Sequence, residues 1–292
     1  MKRRPSIPAR DEEGMILVNV LLFIAIASGI LLLMISAEDT GLERGLRMRE
    51  AARAMAVARG GELTAVTALR RDAIVAPDND NRTEPWAALS ERSAPIEGGT
   101  FELAIADAQD RFNINALMKP DPAALEILNK ISAATAMTPE QAARAVAAIR
   151  QFGPVTDLRP LGQIGLSDVQ VTRLYGLLTA LPYDSLINLN AASEDMITVL
   201  TGDALASRRI VELRARQGYL TAPDLDTIHV SMPAGTSLTS NMYWVRTKVR
   251  IGDTSQQLTS LITRRDDATG HKSTLVVGRW TGSSGPIQVS GL

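Results

Sequence analysis

From Met15 to Ile35 every residue except Asn19, Ser28 and Gly29 is hydrophobic, and no charged side chain stands between Gly14 and Glu38. A helix made of this run is roughly 30 Å long, the thickness of a bilayer's hydrocarbon core. A cleaved secretory signal has a shorter apolar region, about 7–15 residues, followed by a small-residue cut site. The run therefore predicts a single membrane span over 15–37. Beyond it, Glu38 to Arg71 is rich in Ala, Leu, Arg and Glu and free of proline. That composition predicts a helix extension over 38–72 into the aqueous phase. Gly60-Gly61 is expected to weaken the extension, and the polar stretch from Pro77 to Arg82 to end it. Lys2, Arg3, Arg4 and Arg10 precede the span, whereas Arg44, Arg47 and Arg49 follow it. The bias is modest and favours a cytoplasmic N-terminus.

The period then changes. Thr100 to Ala106 alternates as a strand does, and Tyr243 to Ile251 alternates more cleanly. Tyr243, Val245, Thr247, Val249 and Ile251 share one face; Trp244, Arg246, Lys248 and Arg250 share the other, which is expected to be solvated. Leu258–Arg264 and Thr274–Trp280 complete an antiparallel meander, with turns at Gly252-Asp253 and between Asp266 and Gly270. A helical interruption separates the first strand from the rest. Its punctuation is clear: Asp121-Pro122 is an N-cap followed by proline, and Thr138–Gln141 and Ser167–Gln170 are capping boxes. Ala206, Ile210 and Leu213 form one apolar stripe, with Arg208, Arg209 and Arg216 on the solvated side. Glu194 and Asp195 sit where a helix dipole favours acids.

The interruption also repeats itself. Asn113-Ile114-Asn115-Ala116 recurs as Asn188-Leu189-Asn190-Ala191. A helix ending Ile149-Arg150-Gln151-Phe152, then Thr156-Asp157-Leu158, recurs as Arg216-Gln217-Gly218-Tyr219, then Pro223-Asp224-Leu225. Two copies of one supersecondary unit are implied, fewer than a solenoid needs. Their grammar is that of helix-hairpin-helix modules, which grip DNA phosphates through the amides of a Gly-x-Gly hairpin. Neither Leu200–Asp203 nor Ala133–Thr138 contains that hairpin.

Composition narrows the function. Lys plus Arg is 31 and Asp plus Glu 32, so no global field draws the chain to nucleic acid. With no Cys, disulfides, zinc–thiolate sites and thiol catalysis are excluded; His229 and His271 are the only histidines. There is no Gly-x-Ser-x-Gly, His-Glu-x-x-His or phosphate loop. No enzyme is expected, no catalytic residue, and no cofactor-binding or metal-binding residue.

A polar leader, a Gly, and a span starting directly after it resemble the class III leader of type IV pilins and type II secretion pseudopilins. The resemblance implies cutting by a prepilin peptidase between Gly14 and Met15. Here the leader ends Asp11-Glu12-Glu13-Gly14, whereas the family usually has basic residues before the Gly. The fifth residue after the cut is Asn19, where major pilins carry Glu. The stretch from Ile105 to Asn115, the second Asn188-Leu189-Asn190-Ala191-Ala192, the Tyr243-Trp244-Val245 strand and Leu261-Ile262-Thr263-Arg264 together resemble the GspK family (general secretion pathway protein K). These are minor pseudopilins of the type II secretion system.

The resemblance implies an α+β fold in five parts. They are a leader (1–14), a transmembrane helix (15–37), its extension (38–72), a pilin-like β domain (73–106 and 238–292) and an inserted all-helical domain (107–237) with two helix-hairpin-helix-like repeats. It also implies a single-pass protein of the bacterial inner membrane, with its bulk in the periplasm, at the tip of the pseudopilus. The implied partners are the I- and J-type minor pseudopilins and the prepilin peptidase, and no nucleic acid. Asn19 is the implied assembly residue. A membrane-anchored helix-hairpin-helix protein of competence type is the alternative. Relatives place calcium near an acidic Asp-Trp-x-Asp loop between the repeats. This chain has Ile149–Asp157 without that cluster, and no strong calcium site is expected.

Overall fold

The computed structural model describes residues 12–266 and 272–286, so most of the leader and the expected 266–270 turn lie outside the described residues. The chain forms two compact units, 1–52 and 53–292. The first contains the start of helix α1 (Glu12–Val75), whose side chains from Met15 to Ile35 are exposed. The helix is long and apolar enough to cross a membrane.

In the second unit, residues 53–75 of α1 pack on an antiparallel sheet. The sheet contains β1 (Glu91–Ile96), β2 (Gly99–Asp107), β7 (Met242–Ile251), β8 (Thr254–Asp266) and β9 (Lys272–Thr281), in that spatial order. Neighbours β2 and β7 pair with Phe101 opposite Val249 and Ile105 opposite Val245. Everything between them in sequence is therefore an insertion into one sheet.

Small residues on α1, Ala54, Ala58 and Ala65, let the helix approach closely; with Leu69 they pack against Leu103, Ile105, Val245, Val249 and Ile262. Gly60-Gly61 does not interrupt the helix, contrary to the expectation from propensity. A β-carbon at Gly61 would stand 2.9 Å from the Phe101 ring and 3.1 Å from the Thr247 methyl, so packing of the sheet explains the glycine. Beside it, Glu62 is buried, accepting from Arg279 Nε at 2.8 Å and from the Ser260 hydroxyl. Burial pulls this carboxyl's pKa up, but Arg279 and Ser260 hold it below the usual range.

The alternation of β7 has one correction. Lys248 and Arg250 are exposed as expected, but Trp244 on the same face is buried, packed with Trp280 at a centroid distance of 5.6 Å and with Leu181 and Leu261. The returning insertion covers that end of the sheet. Strand β1 has no sequence signature. It carries Pro95, is mostly exposed, and shifts register between Glu91 and Ala94, as an edge strand can.

The insertion contains α2 (Pro122–Ala134), α3 (Pro139–Phe152), α4 (Asp168–Leu177), α5 (Glu194–Thr201), α6 (Ala204–Gln217) and α7 (Ala222–Thr227). Two-residue parallel ladders hold it: β3 (Phe112–Asn113) with β4 (Leu178–Thr179), and β5 (Ile187–Asn188) with β6 (Thr236–Ser237). The expected caps form: Asp121 accepts from Ala123 N, and Thr138 and Ser167 make complete capping boxes. In α6 the buried positions are Ser207, Ile210 and Leu213, with Ala206 only half-buried. The Ser207 hydroxyl lies 2.7 Å from that of Thr198, which ties α6 to α5 and explains a polar residue there.

Candidate functional site

The repeated Asn-x-Asn motifs are structural clasps. Asn113 accepts from Asn115 N, and Asn188 from Asn190 N, each closing a tight turn. The second Asn of each copy then grips a distant backbone residue by both of its polar groups. Asn115 donates to Val155 O at 2.8 Å and accepts Val155 N at 2.9 Å. Asn190 donates to Leu220 O at 3.2 Å and accepts Leu220 N at 2.7 Å. An arginine of the second helix after each turn ties it: Arg150 of α3 donates to Leu117 O, and Arg214 of α6 to Leu189 O and Ala192 O. Asn190→Ala strips the partner from the buried Leu220 N–H, while Leu220 O keeps Asn79 Nδ2 at 2.6 Å. A loss of about 1–3 kcal/mol is expected, read as a lower urea midpoint in circular dichroism.

The repeats do not carry a phosphate-gripping hairpin. Between α5 and α6, Gly202 is left-handed (φ 64°), and the next residue, Asp203, caps α6 by accepting Leu205 N. Between α2 and α3 the left-handed residue is Ala136 (φ 54°). A carboxylate where phosphate would sit opposes DNA binding.

Where the insertion leaves and rejoins the sheet, a buried polar network forms that the sequence does not advertise. Asp107, at the end of β2, accepts Gln109 N at 2.7 Å, Asn188 Nδ2 at 2.8 Å and Ser240 Oγ at 2.5 Å. Gln109 bridges onward, donating to Leu186 O and accepting Asn241 N and Met242 N. Asp80 accepts Ser240 N at 2.7 Å and the Tyr243 hydroxyl at 2.6 Å. Arg264 joins the halves: it pairs with Asp72 at 2.8 Å, with Asp80, and with Ser240 O at 2.6 Å.

Burial lifts the Asp107 carboxyl to a pKa of about 7, against the pull of its three donors. Glu84 also rises to about 7, from burial first and the nearby Asp72 and Asp80 charges after it. The available signal was a charge on the inward face of a strand: Arg264 follows buried Ile262 at the two-residue period.

Among the described residues, carboxylates of Asp72, Asp80 and Glu84 converge within 4.8 Å. The Arg264 guanidinium already supplies their counter-charge. In the loop where the resemblance places calcium, Asp157 accepts Arg159 N and pairs with the Arg159 guanidinium. That donor set does not fit a cation needing six to eight oxygens.

The expected processing and assembly residues lie elsewhere. Gly14 and Met15 stand in the first turn of α1, and Asn19 is exposed one turn on. Farther along, an outer face of α1 forms a cleft of about 690 Å³ with the following loop, lined by Leu63, Thr67, Ala68, Val75, Trp86 and Leu89. Leu63 and Val75 are more than half exposed there, although Trp86 is buried.

Similarity to known proteins agrees with this architecture. No protein-family model matches the chain. Type II secretion system protein K of Pseudomonas aeruginosa is 26% identical over 308 aligned positions, spanning 88% of this chain and 90% of the relative. The chain is similar to that protein K over most of its length. The crystal structure of the GspK–GspI–GspJ complex from the enterotoxigenic Escherichia coli type 2 secretion system contains a chain of the same fold. It matches with a TM-score of 0.63 at 19% identity, covering 82% of this chain and all of that one. The antiparallel sheet interrupted by a helical insertion is thus read from the strand order, and the fold is shared with that solved structure. The competence-type alternative finds no support in these comparisons.

Proposed function

We propose that this chain is a minor pseudopilin of the type II secretion system, placed at the tip of the periplasmic pseudopilus and acting by packing rather than chemistry. The single observation that carries the reading is the order of parts: an exposed apolar helix, then a sheet split between β2 and β7 by a large helical insertion. On this reading 15–37 spans the inner membrane once, the bulk lies in the periplasm, and the I- and J-type minor pseudopilins are the neighbours.

Asn19 supports the tip position. Within an apolar helix bundle the N-terminal ammonium of an adjoining subunit needs a carboxylate partner, because a buried unpaired charge is costly. Asn19 can accept a hydrogen bond but cannot neutralise. The chain therefore enters poorly beneath another subunit and sits best with nothing above it, where the insertion also meets no neighbour. Immunogold labelling is expected at fibre ends; label along the shaft sinks the tip assignment.

Processing is tested separately. Coexpression with a prepilin peptidase should yield a mature N-terminus at Met15, and Gly14→Val should abolish it. An intact Met1 terminus, with the peptidase active on another substrate, would overturn the pseudopilin reading itself.

A further inference from the structure

Arg214 is half-buried and has no carboxylate partner among the described residues; its Nη1 is held at 2.6 and 2.7 Å by the carbonyls of Leu189 and Ala192. No described acceptor meets its remaining N–H groups. Across a cleft of about 460 Å³ stands Arg82, likewise without an ion-pair partner among the described residues. The two guanidiniums share this cleft with Asp110, Asn190, Val211 and Ala215.

The loop is held on both sides of Arg82: Asn81 N donates to Glu84 at 3.1 Å, and the Asn81 carboxamide accepts Thr83 N at 2.8 Å. Burial first, and then Arg82, lower the affinity of Arg214 for its proton, and Glu194 restores only part of it. Two like charges are thus held together in a cleft by a rigid loop and a tethered side chain, an arrangement that an anion relieves.

The other polar groups of the cleft are occupied. Asn190 is committed to Leu220, and Ser193 caps α5 by accepting Met196 N. Asp110 is paired with Arg111 at 2.9 Å, and the Glu194 carboxylate, which acts on Arg214 through space, leaves negative charge beside the cleft. That charge opposes a dianion such as phosphate more than a monoanion. Val211 and Ala215 add apolar wall beside the guanidiniums, and the volume suits a small group, not a folded partner.

We propose that the cleft between Arg82 and Arg214 binds a carboxylate monoanion on a short apolar stem, presented by a partner polypeptide as an acidic side chain or a chain terminus. The site belongs to the helical insertion and the 79–84 loop, and it requires nothing of the membrane helix.

The test uses the full chain in detergent micelles, titrated calorimetrically with N-acetylalanine, N-acetylglutamic acid α-amide, N-acetylalanine amide and inorganic phosphate. One of the two carboxylates is expected to bind at one site per chain, with the neutral amide inert; the tighter carboxylate names the terminus or the side chain. Arg82→Gln, at an exposed position, should weaken binding about tenfold or more. Ala215→Phe should block it sterically without touching either charge. Failure of both carboxylates to bind, binding indifferent to Arg82→Gln and Ala215→Phe, or tighter binding of phosphate each overturns the proposal.

Discussion

Arg264→Met is expected to be the most damaging single substitution in the sheet unit, at about 3–5 kcal/mol near neutral pH. The guanidinium is the only cation touching Asp72 and Asp80 among the described residues, and all three side chains are nearly inaccessible to water. Removing it leaves two buried carboxylates side by side, with Glu84 close by. A methionine fills the volume but neutralises nothing.

The damage should shrink as pH falls. Burial already raises Asp72 above its ordinary value, and Arg264 pulls it back. Without Arg264 that pull is gone, so the folded variant takes up a proton at higher pH than the unfolded chain does. Stability conferred by that proton is present at acid pH and lost as pH rises through the folded pKa. Urea midpoints followed by fluorescence of the buried Trp86 and Trp244 provide the readout. A second arm adds Asp80→Asn: the double variant should lose less than the sum of the single ones, because the charge left unpaired is itself removed. Additive losses would show that Arg264 acts through its own packing and not through Asp80.

How much of this was legible follows from the range of each interaction. Caps are local, so Asp121, Thr138 and Ser167 could be read within three or four residues, and all three form. The alternation of β7 was legible because α1 covers one face along its length, while Lys248 and Arg250 meet water on the other. Trp244 broke the pattern because Leu181, brought back by the insertion, closes over it. Gly61 misled for the same kind of reason: propensity sees a weak helix position, but Phe101 needs the missing side chain.

The Asn-x-Asn repeat was visible, whereas its purpose was not, since Asn115 meets Val155 and Asn190 meets Leu220 only after folding. The junction network was out of reach apart from Arg264, a charge on the inward face of its strand. Asp80 and Ser240, or Asp107 and Asn188, are joined across most of the insertion, and no periodicity links them. Asn19 and the Gly14–Met15 bond were singled out only by resemblance to the leader pattern, and the roles proposed for them rest on the experiments above.

The second large effect is a pH dependence centred on Asp107. The folded carboxyl has a pKa of about 7 and the unfolded one about 3.8, because burial disfavours its charge more than Ser240, Gln109 and Asn188 restore it. Asp110 adds to the rise, and the Asp80, Asp72 and Glu84 carboxylates and the Arg264 guanidinium complete the charged surroundings of the junction. Between those pH values the folded chain holds a proton that the unfolded chain releases. Stability from this group is therefore full below about pH 4, falls as pH rises, and levels off above about 7. Glu84, also near 7, slopes the same way.

Asp107→Asn isolates the first contribution, since Glu84 is common to both proteins. Its carboxamide keeps an oxygen for Gln109 N and turns a donor toward Ser240, at some cost against Asn188. That cost is the same at every pH. The stability gap between variant and wild type should therefore move in favour of the variant by roughly 2–3 kcal/mol from about pH 5 to about pH 8. A gap that stays constant across that range would mean Asp107 is ionised throughout, and that its three donors outweigh burial. The wild-type junction, which joins the insertion to the sheet at Asp107, Asn188 and Ser240, should then be at its tightest in mild acid, where the shared proton lets Asp107 donate to the Ser240 hydroxyl instead of only accepting from it.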